Sequence, residues 1–179
     1  MKVDADGSFA DAARFPKREQ RYIRAARVAV DLLDYKLSLA QKLGAKGVLN
    51  ASRDDPAQKI KELTDGSGAD VVLDFVGRRA TIQKSIDCTA KGGRLVVIGI
   101  SSEELQISPY STIIGKEMEL LGVNDHLRSE LTELIDLVSR GKINLSTSIT
   151  HRLKLEEVNQ GMQILERNIG APIRVVIEQ

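Results

Sequence analysis

Asp31 closes the run RVAVD, and an acidic side chain at the carboxyl end of a buried parallel strand is placed to accept hydrogen bonds from the paired hydroxyls of a ribose. Its charge would repel the additional phosphate of NADP, and no arginine follows at once in DLLDYK, so NAD is favoured. An acid after a strand is also commonly a turn or cap residue, so Asp31 alone decides nothing. A pyrophosphate cradle needs G-x-G-x-x-G between a first strand and a first helix, and only Gly7 precedes Gly44. Gly66-Ser67-Gly68 leads into a strand rather than opening a helix, and reads as a turn. Catalytic zinc usually takes three protein ligands and an open position, whereas Cys88, His126 and His151 fall in separate elements without ligand spacing. Cys88 reads as a small core residue and both histidines as loop or surface residues. No nucleophile and base pairing is evident, so no catalytic or metal-binding residue is assigned.

Asp31 needs a sheet to hold it. From about Arg27 onward, short β-branched runs alternate with segments of helical period, the pattern of a parallel sheet covered by helices. RVAVD is followed by a helix opening at Asp34 as cap, with Leu37, Ala40 and Leu43 on one face and Gly44 closing it; the strand GVLN follows. Asp55-Pro56 supplies a cap and a first-turn proline for a helix with Ile60 and Leu63 inward. VVLDFVG (71 to 77) and RLVVIGI (94 to 100) are nearly continuous in apolar residues, as expected of strands buried on both faces. Between them lies a helix with Ile82 and Ile86 inward, ended by Gly92-Gly93. After a looser stretch through Pro109 comes the strand MELLGVN, then a helix capped by Asp125 with Leu127, Leu131, Leu134 and Val138 on its buried stripe. A strand near Ser148 to Leu153, a helix carrying Leu155, Val158, Met162 and Leu165, and a strand from Ile173 to Ile177 complete the chain. Residues 1–26 contain no buried-strand run, and Pro16 interrupts their only helical stretch.

At 179 residues the chain can bury one substantial core plus an appendage. Lys and Arg number 26 against 25 Asp and Glu, and aromatic residues make up 3%, so neither a net field nor stacking platforms recruit nucleic acid. No apolar run approaches the ~20 residues that cross a bilayer. The charged start Met1-Lys2-Val3-Asp4 is not followed by the apolar core of a signal peptide. The single cysteine fits a reducing compartment, and the expected location is the cytoplasm.

Taken together, VAVDLLDYKLSLAQKLGAKGVLN, LTDGSGADVVLDFVG, AKGGRLVVIGI and LKLEEVNQGMQILERNIGAPIRVVIEQ resemble the zinc-type medium-chain alcohol dehydrogenase family, in the family's order, from about Ala26 to Gln179. The resemblance implies an α/β fold with a Rossmann-type doubly wound parallel sheet, lacking its first strand and glycine loop, and a C-terminal strand-helix-strand appendage. Residues 1–26 are then an atypical segment, 27–144 a partial NAD-binding domain, and 145–179 a segment that belongs to the catalytic domain in full-length relatives.

By the same resemblance, Asp31 is the ribose-binding acid and Lys36 the basic residue that helps hold the adenosine part. Val76, Gly77 and Arg78 lie against the adenosine half, and Ile98, Gly99 and Ile100 beside the nicotinamide ribose, with Gly99 permitting close backbone approach. Val123 offers backbone groups to the carboxamide, and Arg174 reaches the pyrophosphate. Each position has a plainer account. Val76, Ile98, Ile100 and Val123 would be core residues in any parallel sheet, Lys36 and Arg78 solvated charges, and Arg174 a charge blunting an edge strand.

Full-length relatives transfer hydride between an alcohol or aldehyde and NAD, with zinc as Lewis acid. The N-terminal domain supplying their zinc ligands is not matched here. The chain is therefore expected to be a truncated form, not competent alone, with weak or vestigial NAD binding and no zinc. The alternatives are a non-catalytic dinucleotide-binding or oligomerising remnant, pairing with itself or a full-length relative, and a member of the zinc-free quinone-reductase branch. In the order 3-2-1-4-5-6 the first strand is central, so without it RVAVD and VVLDFVG each face an unpaired ladder. Either they close on each other, or residues near Met1 to Asp4 substitute, or another chain donates a strand.

Overall fold

The computed structural model describes Lys2–Val3, Phe9–Ala10 and residues 27–178; the rest of the segment 1–26, expected to differ in kind, lies outside the described residues. The chain forms two compact units, one of Ala12–Asp125 and one of Met1–Asp11 with His126–Gln179. β1 (Lys2–Val3) and β2 (Phe9–Ala10) form a short antiparallel pair.

Ala12–Asp125 holds the parallel α/β structure. β3 (Val28–Asp31) leads into α1 (Asp34–Lys42) and β4 (Gly47–Asn50), then α2 (Pro56–Leu63), β5 (Ala69–Asp74), α3 (Arg79–Cys88), β6 (Thr89–Val97) and β7 (Glu119–Gly122). β3 pairs parallel with β4, and β5-β6-β7 form a separate parallel sheet. The sheet is thus divided where the doubly wound order would put its central strand. Both pieces rest on common ground, because Val28, Leu49, Ala69 and Val72 all pack against Ala57 and Ile60 of α2 and Cys88 of α3. A second cluster joins Ile82, Ile86, Leu95 and Met118, with Val72, Val97 and Leu120 against it. Leu95 is 0% exposed at the middle of the three-stranded sheet.

Local signals explain most of the elements. Asp55 caps α2 by accepting from the Ala57 amide at 2.9 Å, with Pro56 behind it, as expected. Gly66 and Gly68 both take positive φ in the turn that enters β5. The cap of α1 is different from expectation: Leu33 occupies the N-cap and Asp34 is the first helical residue, its carboxylate turned to Asn50 and Arg53. Leu63 is exposed rather than inward, since α2 ends on it. α3 stops at Cys88, and Thr89–Gly93 open β6 instead of closing the helix, because Ala69 of β5 offers Thr89 a ladder partner. The looser stretch contains a π-helical turn, Pro109–Ile114.

β5 is not buried on both faces. Val72 packs inward while Val71 is 41% and Leu73 53% exposed, so one face is uncovered in this unit. We expect amide exchange to be fast at Val28–Val30, which have one paired edge among the described residues, and slow at Leu95–Val97, paired on both sides; mass spectrometry after deuterium labelling reads both segments. Equal protection of the two would mean that β3 is paired on both edges in solution.

In the other unit, α4 (Arg128–Ser139) buries Leu137 alone, and the predicted stripe of Leu127, Leu131, Leu134 and Val138 is exposed. β8 (Ile149–Lys154) pairs parallel with β9 (Arg174–Glu178), and α5 (Val158–Arg167) lies between them in sequence. α5 packs through Gly161 and Ile164, not through Val158, Met162 and Leu165, since a Cβ at Gly161 would already meet Leu153 and Val175. His151 lies within β8, half-buried and not in a loop.

Candidate functional site

The carboxyl ends of β5 and β6 are tied together by Asp74, the last residue of β5. The residue is 3% exposed. One carboxylate oxygen accepts from the amides of Val76 at 2.9 Å and Gly77 at 2.8 Å and from the Thr81 hydroxyl at 3.3 Å; the other accepts from the Ser85 hydroxyl at 3.1 Å. The main-chain oxygen of Asp74 accepts from the amides of Ile98 at 2.8 Å and Gly99 at 3.0 Å. A buried carboxylate is tolerated because its oxygens are satisfied this way. One residue therefore positions both loops that the resemblance implies for the cofactor, and it was not among the expected site residues. The signal for it was an acid inside the apolar run VVLDFVG, where a charge must find partners.

Gly77 and Gly99 touch. A Cβ at Gly99 would lie 2.2 Å from the Val76 carbonyl carbon, and one at Gly77 2.3 Å from the Gly99 oxygen. The close approach that Gly99 permits is to this chain's own backbone. Arg78 forms an ion pair with Glu103 at 2.9 Å, and Glu103 also accepts from the Arg79 amide at 2.8 Å, which ties the loop after β6 to the start of α3. That amide first, and Arg78 second, hold the Glu103 carboxyl below its ordinary range.

Asp31 ends β3 half-buried, its carboxylate oriented by accepting from the Leu33 amide at 3.0 Å. Behind it, buried Asn50 donates to the Leu32 oxygen at 3.1 Å and to Asp34 at 2.7 Å, which joins the ends of β3 and β4. The hydrogen bond from Asn50, then Arg53, lowers the Asp34 pKa. Lys36 stands half-buried in the first turn of α1. Val123 follows β7, and its amide donates to the Val97 oxygen at 3.0 Å, so only its carbonyl is left to offer outward.

The plainer account of the apolar site residues fails for three of the four. Val76, Ile100 and Val123 are exposed, Ile100 at 88%, and only Ile98 is half-buried. Leu32 after β3 and Phe75 after β5 are exposed as well. A large apolar side chain thus stands in the open after each of β3, β5, β6 and β7, where an open α/β sheet takes its ligands. Asp31, Lys36, Val76, Gly77, Arg78, Ile98, Gly99, Ile100 and Val123 all belong to this unit. Arg174, exposed at the start of β9, belongs to the other.

The adenosine end of a dinucleotide fits these residues: an oriented acid for the ribose and exposed apolar groups for the base. A catalytic zinc does not fit. Among the described residues no three of His, Cys, Asp and Glu gather to hold a metal, and burial pushes the Cys88 thiol up to about 11, which keeps it protonated in the core. No helix of the described residues is long and apolar enough to cross a membrane.

The model of a family described as zinc-binding dehydrogenase matches residues 23–140. The chain is 33% identical over 143 residues to L-threonine 3-dehydrogenase of Caldanaerobacter subterraneus subsp. tengcongensis, covering 79% of this chain and 41% of that protein. In structure it is similar to the alcohol dehydrogenase of Aeropyrum pernix, with TM-score 0.76 and 33% identity over 87% of this chain and 43% of that one. An NAD-dependent alcohol dehydrogenase is similar at TM-score 0.74 and 28% identity, over 90% of this chain and 46% of that one. The chain spans less than half the length of these relatives.

Proposed function

The chain belongs to the zinc-binding dehydrogenase family, the zinc-type medium-chain alcohol dehydrogenases, and we propose on that premise that it is the cofactor-holding part of an oxidoreductase acting between an alcohol and NAD. The observation that carries this reading is the row of exposed apolar side chains beside the oriented carboxylate of Asp31, all at the carboxyl ends of the parallel strands. Asp31 would accept from the adenosine ribose, with Lys36 near the same end. The Val76–Arg78 turn would lie against the adenosine, and Ile98–Ile100 and the Val123 carbonyl toward the nicotinamide end. NAD, when bound, supplies the hydride acceptor. The residues here bind and orient it, and Asp74 holds the two loops that do so at their spacing.

No step is assigned to zinc, because no three of His, Cys, Asp and Glu gather among the described residues to hold it. On this reading the chain by itself binds NAD weakly and is not competent for turnover, and it works in the cytoplasm. Calorimetric titration tests the cofactor assignment. NAD should bind more tightly than NADP, since the Asp31 carboxylate repels a 2′-phosphate, and Asp31→Ala should narrow the preference toward unity. Equal binding of the two by the unaltered chain, or tighter NADP, would remove Asp31 from the ribose site.

A further inference from the structure

At the amino ends of β5, β6 and β7, away from the cofactor loops, α2, α3 and the turn before β7 line a cavity of about 730 Å³ that opens to solvent. Its charged groups are Asp55, Lys61 and Glu62 from the α2 segment, Lys84 and Asp87 of α3, and Lys116. Lys84 is paired with Asp55 at 3.3 Å, and Glu62 with Lys59 at 2.9 Å. Lys61 is exposed and forms no ion pair among the described residues. Lys116 is held in another way. The Gly92 amide donates to its main-chain oxygen at 2.7 Å, which fixes it beside the start of β6. Its half-buried ammonium donates to the main-chain oxygens of Ile86, in α3, and Thr89, the first residue of β6, the latter at 2.8 Å. Both acceptors are neutral. Burial first, and the like charge of Lys61 after it, hold the Lys116 amine below the ordinary lysine range against an opposite pull from Asp87. A desolvated lysine beside another cation is one that can react as an amine.

We infer that Lys116, on the floor of this cavity and joined to the Ile86 and Thr89 carbonyls, is a modification site that takes the acyl group of an acyl phosphate. With two of its hydrogens held by those carbonyls, the proton that leaves to solvent is the third, and the lone pair it uncovers points away from both. That pair forms the N–C bond to the acyl carbon. The C–O bond to the phosphate breaks with its electrons going to oxygen, and the surplus proton on nitrogen passes to the departing phosphate. Lys61 and Lys84 line the same cavity, so the phosphate of the donor meets cations beside the nucleophile. The product amide keeps one N–H and can serve only one of the two carbonyls, which loosens the tie between α3, β6 and the turn before β7.

The test exposes the full chain to acetyl phosphate at neutral pH and limiting conversion, and reads the occupancy of every lysine by peptide mass spectrometry. No nucleotide takes part, so the outcome is separate from that of the NAD titration. Lys116 should be acetylated at least about tenfold faster than the median lysine. The excess should vanish when the chain is unfolded in urea, where the cavity and the two carbonyl partners are gone. Lys61→Gln, a change at an exposed position, should slow Lys116 about threefold or more with acetyl phosphate and less with acetic anhydride, which carries no phosphate. The inference is overturned if Lys116 reacts no faster than the median, if its excess persists in urea, or if Lys61→Gln leaves its rate unchanged. It is also overturned if the variant slows both reagents equally, since the phosphate then plays no part in directing the acyl group.

Discussion

Gly99→Ala will lower stability by about 3 kcal/mol, the upper part of the range for forcing extra atoms into a packed site. The new Cβ would lie 2.2 Å from the Val76 carbonyl carbon and 2.3 Å from the Gly77 nitrogen, and both obstacles are backbone, so no side chain can swing aside. The loops after β5 and β6 must then separate, which breaks the hydrogen bonds that Asp74 makes to Ile98 and Gly99 through its main-chain oxygen. Gly122→Ala is the matched control. A Cβ there meets nothing within 4 Å, and the change should shift stability by under about 1 kcal/mol. Urea unfolding of the three proteins measures the difference. Similar midpoints for the Gly99 variant and the unaltered chain would show that the two loops are not in contact.

Asp74→Ala will cost as much or more, on the order of 3 to 5 kcal/mol, because it strands the Val76 and Gly77 amides together with two hydroxyls. Domains of this size are stable by about 5 to 15 kcal/mol, so the variant will sit near its unfolding limit. Asp74→Asn separates the role of the carboxyl shape from that of its charge. The amide oxygen can still accept from Val76 and Gly77, its NH2 group can donate to the Ser85 hydroxyl, and most of the loss should be recovered. The midpoint of urea unfolding gives the stability of each variant, and NAD titration gives the geometry of the turn. If the Asn variant is as damaged as the Ala variant, the negative charge and not the hydrogen-bonding pattern holds the turn. If neither is damaged, Asp74 does not organise the site.

Both positions lay inside segments whose fold was readable. VVLDFVG and RLVVIGI announce strands, and the lone acid and the glycine within them were visible as letters. Their partners were not. Asp74 binds the turn that follows it and the helix beyond, and Gly99 meets a turn some twenty residues earlier in the chain, contacts that no periodicity encodes. The apolar site residues show the converse. Val76, Ile100 and Val123 look like core residues in sequence, and their exposure follows only from standing past the ends of the strands, where covering helices stop.

What the sequence by itself determined is the identity and order of the elements: parallel strands alternating with helices, the cap at Asp55, the glycine turn before β5, and Asp31 at the end of β3. Those depend on local periodicity and on backbone preferences of a few adjacent residues. The resemblance already implied a division between RVAVD and VVLDFVG; tertiary structure alone decided which faces are covered and that β3 and β5 do not close on each other. Ladder hydrogen bonds are made by backbone groups that every residue carries, so the pattern that declares a strand cannot say whether its two edges find neighbours. The same limit left the stripe of α4 expected as core, since an apolar face records a need for cover and not the presence of it.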